Sequence, residues 1–176
     1  MLGLGADAAE PAEEAGPDLL PAARDMIDTI VLIHGFCVTP RSWEHWVAHY
    51  DKRGFRVLAP GYPSLEEEVE ALNADPAPVE AITIPGIVEH LESVVQALDT
   101  PLILIGHSAG GVFTQLLMDK GYGAAGVALN AKHYRSEKTL TRVPEFSGMP
   151  HLLPAVPGRE DAADYVPAWA LRHARA

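Results

Sequence analysis

The chain has 176 residues, 48% of them hydrophobic and 21% charged, the proportions of one globular domain with a core of its own. A formal net charge of −11 without a basic patch excludes nucleic acid and anionic membrane surfaces as partners. One cysteine, Cys37, excludes an intrachain disulfide, and no apolar run approaches the roughly twenty residues of a membrane span. The first residues also lack a basic region followed by an apolar core, so no secretory leader is read and a cytoplasmic location is expected.

Residues 1–25, rich in Ala, Pro and Glu, are expected to form a loosely attached acidic tail, leaving 26–176 as a single domain. Thr29–Ile33 is a short aliphatic run of buried-strand type. A helix is predicted from Pro40 or Arg41 to Arg53, with Trp43, Trp46, Val47 and Tyr50 at helical spacing and Gly54 as its stop. His45 and His49 stand four apart on it, but the glutamate of a zinc-binding helix motif and a third ligand are missing. A structural helix face is expected there, and no metal. Phe55–Ala59 is the second strand, closed by Pro60 and Gly61, and the acidic, proline-punctuated stretch 61–82 holds at most one short helix.

A further helix runs from Pro85 to Asp99, with Ile87, Leu91, Val94, Val95 and Leu98 on one face and Pro85 in its first turn. The third strand is Leu102–Ile105, followed by a helix over 109–120 with Gly121 as its C-terminal cap, and the fourth strand is Gly126–Asn130. Strands alternating with helices predict an α/β fold, a mostly parallel sheet with helices on both faces. Ligands then gather at the carboxyl ends of the strands, where His34, Ser108 and Asn130 fall.

Chemistry concentrates in Gly106-His107-Ser108-Ala109-Gly110, a Gly-x-Ser-x-Gly turn that a buried strand enters and a helix leaves. The spacing alone could belong to a glycine-rich turn with an incidental serine; the strand before and the helix after favour a nucleophile. Such a turn lifts the Ser108 hydroxyl above the sheet and leaves the N–H of Ala109 at the positive helix end, suited to an oxyanion. With His34-Gly35-Phe36 following the first strand, the chain resembles the α/β-hydrolase family. The resemblance implies a second oxyanion donor from the main chain of Phe36, and Gly35 and His107 lining the substrate. The side chain of His34 is expected to pack under the turn rather than act as a base, and Cys37 to be a small buried thiol.

Beyond residue 130 the resemblance covers only a final part of the family pattern. Thr139–Phe146 resembles the last strand, its Pro144 suiting an edge, Ser147–His151 the histidine loop, and Asp161–Arg172 the closing helix. This makes His151 the expected base, in preference to His133 at a helix start and His173 at a frayed end. The acid is missing from its usual place. Ala131–Thr139 is too short for a lid, a strand and a crossover helix, since a parallel crossover needs about a dozen residues. The usual leading hairpin is missing as well, so the chain reads as an internally shortened α/β hydrolase without the lid and the acid-bearing strand. Glu137, Glu145, Asp161 and Asp164 are possible substitute acids, and the amide of Asn130 could orient the imidazole.

If the last strand paired directly with the fourth, loop Ser147–Leu152 would shift by about one strand spacing, roughly 4.8 Å. A base must lie within about 3.2 Å of the hydroxyl, so an imperfect fit over Ser108 is expected, with no carboxylate on the far nitrogen of His151. The function implied is cleavage of a small carboxylic ester through an acyl-enzyme on Ser108, without a cofactor and of low activity. An impaired homologue that binds a small molecule or protein is the alternative. Haloalkane dehalogenases and epoxide hydrolases of similar fold use an aspartate where this chain has Ser108, which disfavours both.

Overall fold

Thr29–Ile33 (β1), Leu102–His107 (β3) and Ala125–Leu129 (β4) are buried along their whole lengths, which suits near-continuous aliphatic strands covered on both faces. The computed structural model describes residues 26–63, 65, 69–75, 77–80, 82–132, 141–142 and 149–174. Two further strands, Arg56–Leu58 (β2) and Thr141–Arg142 (β5), complete a five-stranded sheet of order β2-β1-β3-β4-β5. Every pairing is parallel, with Ile30 opposite Ile103 and Ile105 opposite Val127. The tail 1–25 and His133, Glu137 and Glu145 lie outside the described residues.

The α-helices among the described residues are α1 (Glu44–Asp51), α2 (Val69–Ala74), α3 (Ala77–Glu80), α4 (Ile84–Gln96), α5 (Ala109–Asp119) and α6 (Arg159–His173). The helix expected from Pro40 divides, because Pro40–Trp43 winds as a 3-10 turn before α1 begins. Among its described residues the stretch 61–82 holds two short helices where at most one was expected. Helix α4 starts as its sequence suggests: the Thr83 hydroxyl accepts from the Gly86 N–H at 3.2 Å, and Pro85 occupies the first turn, where no donor is needed.

The chain steps from β1 to β2 in one direction across the sheet, then from β3 to β4 in the other. Crossovers of one hand must therefore lie on opposite faces. They do. Trp46 and Tyr50 of α1 pack with Ile30, Leu32, Ile103 and Ile105, joined by Val166 and Trp169 of α6. Ile87, Leu91 and Val95 of α4 and Phe113 and Leu117 of α5 pack with Val31, Ile33 and Leu104 on the other face. The direction reverses between β1 and β3, and the carboxyl ends of strands at such a reversal are where open α/β sheets bind ligands. His34 leaves β1 there and Ser108 leaves β3. No helix among the described residues is long and apolar enough to cross a membrane.

Candidate active site

Ser108 sits between β3 and α5 with φ 56° and ψ −118°, a conformation that L residues avoid and that costs on the order of 1–3 kcal/mol. Two close approaches hold it there. A Cβ on Gly106 would drive into the carbonyl of Gly110 and the hydroxyl of Thr114, and one on Gly110 into the carbonyl of Ile33. Glycine is required at both because strand, turn and helix backbones touch. The Ser108 N–H donates to the Leu129 carbonyl at 2.9 Å, tying the turn to β4. Ala109 opens α5, so its N–H has no intrahelical acceptor and is free for an anion.

His151 faces this serine. Its Nε2 lies 3.1 Å from the Ser108 Oγ. The expected loop displacement is overturned: β5 does pair directly with β4, Gly126 opposite Thr141, yet the imidazole reaches the hydroxyl. The reason is a fixed main chain. The carbonyl of His151 accepts from His107 Nε2 at 2.5 Å and from Asn130 Nδ2 at 2.8 Å, which draws the loop back over the ends of β3 and β4.

His107 therefore stands differently from its expected place on the substrate side. It is the last residue of β3, it is buried, and its ring bonds the His151 carbonyl. Burial lowers its pKa, with the hydrogen bond opposing and the neighbouring His151 adding to the depression. Gly35 does adjoin the serine: a Cβ there would come 3.2 Å from Ser108 Cβ. Phe36 begins the turn after it, 47% exposed, its ring held edge-on by Tyr62 at 6.1 Å and Phe113 at 5.7 Å.

His34 is fully buried, as expected of a side chain packed under the turn. Its Nδ1 donates to the Gly35 carbonyl at 2.7 Å, its own carbonyl accepts from the Tyr62 hydroxyl, and its ring lies over Tyr62 at 4.1 Å. Burial lowers the His34 pKa and raises that of the Tyr62 phenol. The loop after β1 is thus braced from below by neutral groups. Cys37 corrects its expectation: it lies exposed in the turn with Phe36 and is not a buried thiol.

The two candidate acids among the described residues, Asp161 and Asp164, lie elsewhere. Asp164 bonds His49 Nε2 and Arg53 Nη2, each at 2.7 Å, and ties α6 to α1. Asp161 is exposed in the first turn of α6. Asn130 grips the main chain of His151, not its imidazole. Glu137 and Glu145 are outside the described residues. Among the described residues no carboxylate bonds His151 Nδ1, and no three His, Cys, Asp or Glu are grouped to hold a metal. His173 ends α6 in order, stacked on Trp169 at 4.4 Å and bonded to its carbonyl at 2.8 Å.

Residues 30–176 match a family model described as the alpha/beta hydrolase family. No curated protein matches the chain. Among solved structures it is similar to one reported for the metagenome-derived lipolytic enzymes LipS and LipT, with 21% identity, a TM-score of 0.52, and coverage of 60% of this chain and 42% of that one. It is also similar to an extracellular alpha/beta-hydrolase from a Paenibacillus species, reported to share structural and functional homology with tobacco salicylic acid binding protein 2. There the identity is 24%, the TM-score 0.50, and coverage 61% and 42%. At such identities the likeness concerns the fold alone. The chain spans 42% of the length of these two structures.

Proposed function

As the chain belongs to the alpha/beta hydrolase family, we propose that it is a serine hydrolase of small carboxylic esters, with Ser108 as nucleophile and His151 as base. The observation that carries this reading is the 3.1 Å approach of His151 Nε2 to a serine hydroxyl on a strained strand-to-helix turn. A hydroxyl is a weak nucleophile until a base within hydrogen-bond reach takes its proton. In this reading Ser108 Oγ attacks the ester carbonyl while its proton passes to Nε2. The main-chain N–H groups of Ala109 and Phe36 receive the charge on the carbonyl oxygen. Collapse expels the alcohol, which takes the proton back from His151, and water attacking by the same route frees the acid and Ser108.

The exposed apolar side chains of Phe36 and Leu152, each next in sequence to a residue touching Ser108, are the surfaces proposed for the acyl or alcohol portion. No cofactor enters these steps. Among the described residues no carboxylate meets Nδ1 to balance the imidazolium formed in the transition state, and in serine proteases loss of that carboxylate costs roughly 10⁴-fold. Turnover is accordingly expected to be slow. Incubation with a fluorophosphonate should label Ser108, and Ser108→Ala should abolish both labelling and p-nitrophenyl acetate hydrolysis. Equal hydrolysis by variant and parent would refute the assignment.

A further inference from the structure

The carbonyl oxygen of His151 receives two donors, His107 Nε2 at 2.5 Å and Asn130 Nδ2 at 2.8 Å, which fill both of its lone pairs. Neither donor comes from the loop itself. His107 ends β3 and Asn130 follows β4, and these strands are paired up to His107 and Leu129. We propose that His107 and Asn130 are positioning residues that keep the His151 imidazole over Ser108 by gripping its main chain. The role rests on the reading of Ser108 and His151 given above. It supplies by a backbone anchor part of what a carboxylate on the ring would otherwise do, namely fix where the base stands.

Both donors are themselves fixed. His107 is 3% exposed, its ring set between Trp43, edge-on at 6.5 Å and 86°, and the His151 ring at 5.0 Å. In the neutral imidazole a proton on Nε2 leaves Nδ1 bare, and burial favours that neutral form. Asn130 adopts a left-handed conformation, φ 47°, which asparagine tolerates better than most residues. The segment after it is clamped to α5: the Gln115 amide donates to the Lys132 carbonyl at 2.9 Å, and Ala131 packs where Gly111 has no side chain. Asn130 Nδ2 also reaches the Pro150 carbonyl at 3.4 Å, so two successive loop carbonyls meet one amide. A grip built on strand ends places a side chain more exactly than one built within a loop.

The test measures the rate of phosphonate labelling at Ser108 in two backgrounds, with His151 present and with His151→Ala. Asn130→Gly removes one donor and suits the left-handed backbone; His107→Ala removes the other, and His107→Gln restores an N–H. With His151 present, Asn130→Gly and His107→Ala should each slow labelling by about tenfold or more, since misplacement by about 1 Å can cost 10²-fold, and His107→Gln should recover part of it. In the His151→Ala background the same changes should matter less than about twofold, because the group they position is gone. Equal losses in both backgrounds, or no loss with His151 present, would overturn the proposal. A protected Nε2 proton on His107, seen by NMR before phosphonate is added, reads the grip without any chemistry, and its absence would also overturn it. A parent that shows this proton but takes no label would instead overturn the nucleophile reading on which the role rests.

Discussion

A single methyl group at Gly106 would meet the carbonyl of Gly110 and the hydroxyl of Thr114, both held by α5 and unable to retreat. Gly106→Ala should therefore destabilise the fold by about 3 kcal/mol, read from urea unfolding midpoints. Gly121 makes the contrast: nothing lies within 4 Å of its missing Cβ, and only its φ of 95° resists a side chain. Gly121→Ala should cost about 1 kcal/mol. The buried imidazoles give a second prediction at this scale. His34 and His107 both have folded pKa values below the ordinary value of about 6.5. Below pH 6.5 the unfolded chain takes up protons that the folded chain refuses, so stability is fully present above that pH and is lost as pH falls through the folded values. The Tm should drop between pH 7.5 and pH 5, and substituting His34 by Gln should flatten the slope.

Between elements, the join of α1 to α6 rests on Asp164 and its bonds to His49 and Arg53. More than half of the Asp164 side chain is exposed, so the pair is screened, and Asp164→Ala should cost no more than about 1 kcal/mol. Ester hydrolysis by that variant should match the parent, since Asp164 is committed to α1 rather than to His151. A loss of about a thousandfold or more would instead make Asp164 the missing acid. The 3-10 turn at Pro40–Trp43 matters more than its length suggests. Trp43 is fully buried and lies edge-on to His107, so the segment entering α1 also supports the ring that holds His151.

Across the whole molecule, the reversal of strand order between β1 and β3 brings the loop after β1 and the turn after β3 together, with Gly35 beside Ser108. Ser108 is half-buried and His151 exposed, which describes a site open to solvent. Short p-nitrophenyl esters such as acetate and butyrate should accordingly be hydrolysed faster than palmitate, with no jump in rate at a lipid interface. Clear interfacial activation would contradict this open geometry.

Short aliphatic runs ending in glycine-rich turns carry their own structure, and so β1, β3, β4, the turn at Ser108 and the helices α4 and α5 were legible in the sequence. A run such as Thr29–Ile33 has no polar face to expose, so it must lie inside a sheet covered on both sides. The Ser108 turn was legible because glycine spacing reports backbone crowding directly. Other features depend on which strand ends become neighbours, and local sequence does not encode that. His107 beside the Ser108 turn reads as a substrate contact, yet it turns to a carbonyl 44 residues away; Asn130 reaches the same atom from 21 residues away. The exposure of Cys37 and the pairing of Asp164 with α1 were hidden for the same reason: residue type alone does not say which surface a loop or helix will meet. The sequence by itself determined that a serine would stand at the end of a buried strand. Only the tertiary structure decided that His151 would reach it, because that reach is set by hydrogen bonds from two neighbouring strands to one carbonyl.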